Sequence, residues 1–318
     1  MRSVLLVKTS SMGDVIHNLP VVSDLRRMWP QLAIDWVVEE SFAEIPRLHP
    51  GVRRVIPVAL RRWRKALAQG RTWREIGAAR RALGEQYYDF IIDTQGLVKS
   101  ALISRFAGGL RCGYTRGVAR EGLAALAYDC RYAIPRSAHA VERNRWLAAA
   151  ACEYPLDLPL RYGLQAPAAL PAWLPTGDYA VLLTATSRDD KLWPEAHWIA
   201  LGHALAARGL RSVLPAGNAR EFERAARLAA AIPDAVAAPR ASLSELASVL
   251  QSAHCVIGVD TGLTHLATAL DRPVVALAVS TDPALTGVHG GRQAINLGGI
   301  GQIPAVDSVL ASLHPWLP

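Results

Sequence analysis

The sequence predicts an α/β protein built as two doubly wound parallel-sheet domains in series, and three observations predict it. Short apolar runs rich in Val and Ile, at 4–7, 33–38, 55–58 and 90–93, alternate with segments of helical periodicity. Such alternation implies parallel strands joined by helical crossovers. Five prolines, Pro155, Pro159, Pro167, Pro171 and Pro175, then interrupt the pattern in a stretch that sustains neither a helix nor a central strand. Beyond them the pattern restarts, with runs at 179–183, 212–214, 255–259 and 274–279 and Ala- and Leu-rich helical segments such as 219–231. The domains expected are therefore 1–154 and 179–318, with a linker over 155–178. Sheets of this kind bind ligands outside the carboxyl ends of their strands, so the expected site is a cleft between the domains.

Composition sets the outer limits. A chain of 318 residues that is 51% hydrophobic has material for two buried cores. Lys and Arg number 35 against 27 Asp and Glu, a net charge of +8, which favours an acidic partner or a negatively charged surface. Cys112, Cys130, Cys152 and Cys255 are scattered, with no Cys-x-x-Cys pair and no His spaced to complete a zinc site, so a reducing compartment fits best. The apolar run after Met1 stops at Lys8 without a cleavage site and reads as a first strand rather than a leader. No apolar run reaches the roughly 18 residues of a spanning helix, so the expected location is cytoplasmic, with at most peripheral contact to a membrane.

Three loops could carry chemistry. The first strand runs into Lys8-Thr9-Ser10-Ser11-Met12-Gly13-Asp14, which delivers a carboxylate to the sheet's carboxyl edge. There Asp14 could act as a general base or could simply cap the following helix. The loop has one glycine where a dinucleotide fingerprint needs three, and it lacks the Gly-Lys-Ser/Thr of a P-loop. In the second half, the run at 255–259 enters Asp260-Thr261-Gly262-Leu263-Thr264-His265. A strand, tight turn and helix start would there face a phosphate with free amides and the positive end of the helix dipole. The segment from Thr184 to Lys191 follows another strand of the same domain and could bring hydroxyls and one ammonium to the same edge, making Lys191 a candidate to stabilise a departing diphosphate. Between Val52 and Ala82, ten basic residues stand against one acidic residue, including Arg61-Arg62-Trp63-Arg64-Lys65. Such a cluster suits a phosphate-rich partner or an anionic lipid surface, and no nucleic-acid motif accompanies it.

Taken in order, the Lys8 to Asp14 loop with His17 and Pro20, Asp35-Trp36-Val37-Val38-Glu39-Glu40, Ile92-Asp93-Thr94-Gln95-Gly96-Leu97-Val98-Lys99-Ser100 and Asp260-Thr261-Gly262-x-x-His265 resemble the lipopolysaccharide heptosyltransferase family. Within it they are most similar to the branch acting on Kdo-lipid A. The resemblance implies two Rossmann-like domains facing across a cleft, the GT-B architecture, and inverting transfer from an ADP-heptose donor without a metal. It makes Asp14 the base that deprotonates a Kdo hydroxyl. Thr186, Ser187, Lys191 and the Thr261-Gly262 backbone fall to the diphosphate, Asp260 and His265 shape the donor site, and Glu221 binds the ribose hydroxyls. Arg61, Arg62, Arg64 and Lys65 match the acceptor-binding segment, joined by Arg120 against phosphate or carboxylate. Ala216 departs from the pattern, since a larger Trp is expected there. A related enzyme adding a later core heptose, or a noncatalytic nucleotide-binding module that docks on an anionic membrane, remains compatible with these residues. A Rossmann oxidoreductase is disfavoured by the missing glycines.

Overall fold

A computed structural model describes every residue except Ser187, Arg292 and Pro318. The chain divides into two compact units, Met1–Leu164 and Gln165–Pro318. The division falls inside the proline-rich stretch, and local bonds explain where. Arg145, on the helix Ala140–Cys152, donates to the Leu158 carbonyl at 2.7 Å and so ties the earlier part of the stretch to the first unit. The Ser248 hydroxyl donates to the Pro167 carbonyl at 2.8 Å and holds the later part on the second.

The first unit contains β1 (Ser3–Val7), β2 (Ala33–Glu39), β3 (Val52–Val58), β4 (Tyr87–Asp93), β5 (Gly108–Tyr114) and β6 (Cys130–Tyr132). They form one sheet in the order β3-β2-β1-β4-β5-β6, with every pairing parallel. The second unit contains β7 (Tyr179–Leu183), β8 (Arg211–Leu214), β9 (Val236–Ala237), β10 (Cys255–Val259), β11 (Val274–Ala278) and β12 (Ala294–Gly298). Their order, β12-β11-β10-β7-β8-β9, is the same permutation read from the other edge, again wholly parallel. Each unit is therefore a Rossmann-like sheet whose order reverses between its first and fourth strands.

Every residue of β1, β7, β10 and β11 is buried, as expected of central strands covered by helices on both faces. Helices pack on these strands through narrower apolar stripes. In the helix Ala219–Ala231 only Ala225 and Leu228 are fully buried. The second core closes around Trp193 and Trp198, packed edge to face at 4.9 Å, with the Trp193 indole N–H satisfied by the Pro304 carbonyl. The apolar runs match eight of these strands in position. The outer strands β5, β6, β9 and β12 lack a continuous Val/Ile run: β5 opens on two glycines, and β9 is two residues long.

Candidate active site

In the first unit the point of reversal lies between β1 and β4, and the loops leaving both strands are braced together. Lys8, buried at the end of β1, donates from Nζ to the Thr94 carbonyl at 2.8 Å and to Asn144 Oδ1 at 3.3 Å. Gln95 Oε1 accepts from the Thr9 and Ser10 amides, while its Nε2 donates to the Ser10 carbonyl at 2.6 Å. Gln95 is fixed in turn by Asp93, whose Oδ1 accepts from the Gln95 and Gly96 amides. Gly96 sits at φ +67°, where an added Cβ would lie 3.1 Å from Tyr114 and 3.3 Å from the Arg120 nitrogen, so the turn demands glycine. This brace holds the chain that presents Asp14.

Asp14 is the third residue of the helix Met12–Ile16, and its Oδ2 accepts from the Ser11 amide at 3.0 Å and the Ser11 hydroxyl at 3.1 Å. The capping role anticipated for it is real. It is not the whole role, because Arg120 donates to Oδ1 at 2.6 Å and to Oδ2 at 3.3 Å. Burial alone would raise the Asp14 carboxyl. The charges of Lys8 and Arg120, with the bonds from Ser11 and Arg120, outweigh it and hold the group well below the usual carboxylate range. Burial also pushes the Lys8 ammonium down to about 8, partly countered by the negative charge of Asp14.

The basic segment forms the short helix Leu60–Lys65 beyond β3. Its charge is less available than its composition suggests. Arg62 is held by both oxygens of Glu40, at 3.0 and 2.9 Å, and by Glu75 at 2.7 Å. Arg53 and Arg54 are taken up by Asp35, and Arg71 by Glu75. Arg61 lies over the Phe42 ring at 5.6 Å, and Arg61, Arg64 and Lys65 face solvent.

In the second unit the reversal lies between β7 and β10, and the loops leaving them converge on Asp260. Lys191 Nζ donates to Asp260 Oδ2 at 2.6 Å, His265 Nε2 lies 3.5 Å from Oδ1, and the Thr186 hydroxyl donates to the Asp260 carbonyl at 3.0 Å. Burial would raise the Asp260 carboxyl, but hydrogen bonds from His265 and Lys191 reverse this and keep it well below its usual range. Thr261 caps the helix Gly262–Ala269 in extended conformation, so the first amides precede any intrahelical acceptor. The turn is tight because Gly258 admits the Thr264 hydroxyl: a Cβ there would stand 2.2 Å from Thr264 Oγ1, which instead donates to the Val259 carbonyl at 2.7 Å. An amide-rich helix start, an ammonium and an imidazole thus surround one carboxylate, an arrangement fit to receive a diphosphate.

With this geometry in place, comparison with known proteins is decisive. The sequence profile of glycosyltransferase family 9 (heptosyltransferase) matches residues 76–311. Lipopolysaccharide heptosyltransferase 1 of Escherichia coli K12 is 48% identical over 296 residues, covering 92% of each chain.

The chain belongs to glycosyltransferase family 9.

Among solved structures it is similar to the E. coli heptosyltransferase WaaC with ADP, at a TM-score of 0.91 and 43% identity, covering 98% of this chain and 99% of the other. The same enzyme with ADP-2-deoxy-2-fluoro heptose gives a TM-score of 0.86 at 42% identity, with the same coverage.

In this heptosyltransferase most of the residues anticipated from sequence gather near two reversal points. Asp14 and Arg120 meet at the reversal point of the first unit, with Arg61, Arg64 and Lys65 on the helix after β3. Thr186, Lys191, Asp260 and His265 meet at the reversal point of the second, beside Thr261 and Gly262; Ser187 lies outside the described residues. Glu221 stands apart from that cluster, on the helix after β8, where its carboxylate accepts from the Gly217 amide and the Asn218 side chain, both at 2.7 Å. The end of a Rossmann sheet's second strand is where an acidic residue meets a ribose. Ala216, just before it, packs partly buried against the core.

Sequence reasoning assigned no role to Lys8, Gln95 or Gly96, although it singled out both segments that contain them. It also carried no site residue over from beyond Asp282, where Val288 and Asn296 line a small cavity of about 10 Å³ together with Thr281, Asp260 and His265. Asn296 shapes this wall by exchanging two hydrogen bonds with the Val288 backbone. Among the described residues, no group of three His, Cys, Asp or Glu side chains could hold a metal ion, and no helix is long and apolar enough to cross a membrane.

Proposed function

We propose that this heptosyltransferase moves L-glycero-D-manno-heptose from ADP-heptose, with inversion, to a Kdo hydroxyl of Kdo-lipid A, at the cytoplasmic face of an anionic membrane. The Arg120 guanidinium on the Asp14 carboxylate is the observation that carries the reading, since it joins a base and an anion ligand in one contact. A carboxylated acceptor sugar would compete for Arg120 as it arrives. Asp14 would then lose one of the charges that suppress its basicity, while its burial would favour taking a proton. The hydroxyl oxygen attacks the anomeric carbon, its proton passes to Asp14, and the bond to the diphosphate oxygen breaks with its electron pair leaving on ADP.

The second unit has the donors that this leaving group requires. Lys191, released in part from Asp260, and the amides at Thr261 and Gly262 would neutralise the developing diphosphate charge, with Thr186 beside them; Ser187, assigned to the same diphosphate, lies outside the described residues. Asp260 would keep Lys191 and His265 in place, and Glu221 would accept from the ribose hydroxyls. An ADP-heptose analogue bound to a relative of the same fold supports the donor. Arg61, Arg62, Arg64 and Lys65 would meet acceptor phosphates, with Arg62 contributing least because two carboxylates already hold it. The test offers purified protein ADP-heptose with either Kdo-lipid A or its heptosylated product. Turnover with Kdo-lipid A is expected; turnover confined to the heptosylated acceptor would replace this reading with that of an enzyme acting later in the core.

A further inference from the structure

One surface of the first unit inverts the usual distribution of large and small apolar side chains. The helix Val98–Ser104 packs against the turn Gly122–Ala127 through small residues, with Ala101, Ala124 and Ala125 buried around Tyr128. The leucines of the same two elements point outward: Leu102 is 55% exposed, Leu123 63% and Leu126 71%. Together they flank a groove of about 210 Å³, lined otherwise by Val98, Ala101, Arg105, Ala124 and Ala127. A water-facing surface would place these residue types the other way round. The leucines cannot simply fold inward, because the alanine layer beneath is closed and Glu121 clamps the two elements by accepting from the Val98 amide at 2.7 Å.

The charge around the groove is one-sided. Lys99, Arg105 and Arg116 are exposed on this stretch and Arg105 lines the groove itself, while the exposed Arg120 is paired with Asp14. The single acidic residue between 98 and 127 is Glu121, whose carboxylate is already engaged. Protruding leucines with Arg105 among them, on a stretch whose other exposed charges are mostly cationic, match the headgroup and upper acyl region of an acidic phospholipid bilayer, where apolar tips enter and basic heads stay with the phosphates. The turn begins two residues after Arg120, so the surface adjoins the Asp14 site. We infer that Leu102, Leu123 and Leu126 form the membrane-docking surface of this enzyme, inserting into an anionic bilayer so that a lipid-linked sugar is presented beside Asp14.

This inference rests on the lipid-linked acceptor proposed above, and its test separates the two. Binding is measured by co-sedimentation with vesicles of phosphatidylethanolamine and phosphatidylglycerol, and with phosphatidylcholine alone. Turnover is measured in parallel on an acyl-free Kdo acceptor in solution. The pair Leu123→Ser and Leu126→Ser should lower binding to the anionic vesicles by about tenfold or more and leave soluble turnover within about twofold. Leu126→Trp should bind at least as well as the wild type, a control that does not depend on the serine variant's fold. Undiminished vesicle binding by the serine pair overturns the inference. So does a wild-type dimer that the serine pair dissociates, which would make the face a contact between copies. Loss of soluble turnover by a folded serine pair would also overturn it, by placing the groove in the sugar site. Absence of wild-type turnover on every Kdo acceptor would instead sink the proposed activity, and the vesicle arms would still decide docking.

Discussion

Arg120 grips the Asp14 carboxylate with two guanidinium nitrogens, at 2.6 and 3.3 Å, across 106 residues of sequence. Asp14 is mostly shielded and Arg120 nearly half exposed, so the pair presents its guanidinium to solvent and keeps its carboxylate behind it. On the mechanism proposed above, the carboxylate would be kept ionised and out of use until an acceptor binds the arginine.

Replacing Asp14 with Asn keeps the shape and removes the proposed base. Transfer should fall by at least about a hundredfold, the lower end for losing a general base, while ADP affinity measured by calorimetry stays unchanged. Undiminished transfer would remove Asp14 from the mechanism.

Replacing Arg120 with Ala removes one of the charges that hold the Asp14 carboxyl down. The group's ordinary value then lies closer, so the acid limb of the profile of kcat/KM against pH should move to higher pH. KM for the acceptor should also rise by about tenfold or more, the loss of a charge-assisted contact. A raised KM with an unmoved acid limb would mean that Arg120 binds acceptor without tuning the base.

On the proposed donor side, Lys191→Ala leaves the Asp260 carboxylate, among the described residues, with His265 at 3.5 Å. ADP should bind at least about tenfold more weakly, or roughly 1.4 kcal/mol. Asp260→Asn should weaken ADP as well, although it removes a negative charge from a site for an anion, because Lys191 and His265 lose their common anchor. Tighter ADP binding by Asp260→Asn would show that the carboxylate acts as a repulsive gate instead.

His49 offers a test of stability against pH. Its ring is buried, with Nδ1 accepting from the Gly51 amide at 2.9 Å and Nε2 3.0 Å from the Ser23 hydroxyl. Burial, aided by the nearby Arg26 charge, pushes its pKa down to about 4. Between that value and the unfolded one near 6.5, the unfolded chain binds the proton and the folded chain does not. Stability from the neutral ring is therefore complete above the unfolded value and declines as pH falls, by about 3 kcal/mol in all. Urea titrations from neutral pH to pH 4 should show an acid loss in the wild type that shrinks in His49→Gln. Parallel losses in the two proteins would contradict this.

The composition of the basic stretch shows where reading along the chain stops. Ten cations against one acid is a true count for residues 52–82. It misleads about charge on offer, because Asp35, Glu40 and Glu85, all outside the stretch, return to pair with Arg53, Arg54 and Arg62. Asp14 was legible as a helix-start carboxylate, since a capping geometry spans three residues, whereas Glu221 entered only through the family resemblance. Gln95 was not legible as a brace, because its partners Thr9 and Ser10 lie about eighty-five positions away.

What the sequence determined by itself is the alternation of buried strands and amphipathic helices, its restart after the prolines, and the polar loops at strand ends. These are properties of period and turn chemistry, written within a few residues of each other. Tertiary structure alone decided which loops meet. Parallel strands place all their carboxyl ends on one edge, and the reversal of strand order opens that edge between β1 and β4, and again between β7 and β10. Arg120 reaches Asp14, and Lys191 reaches Asp260 across 69 residues, because sheet order sets distance in space independently of distance along the chain.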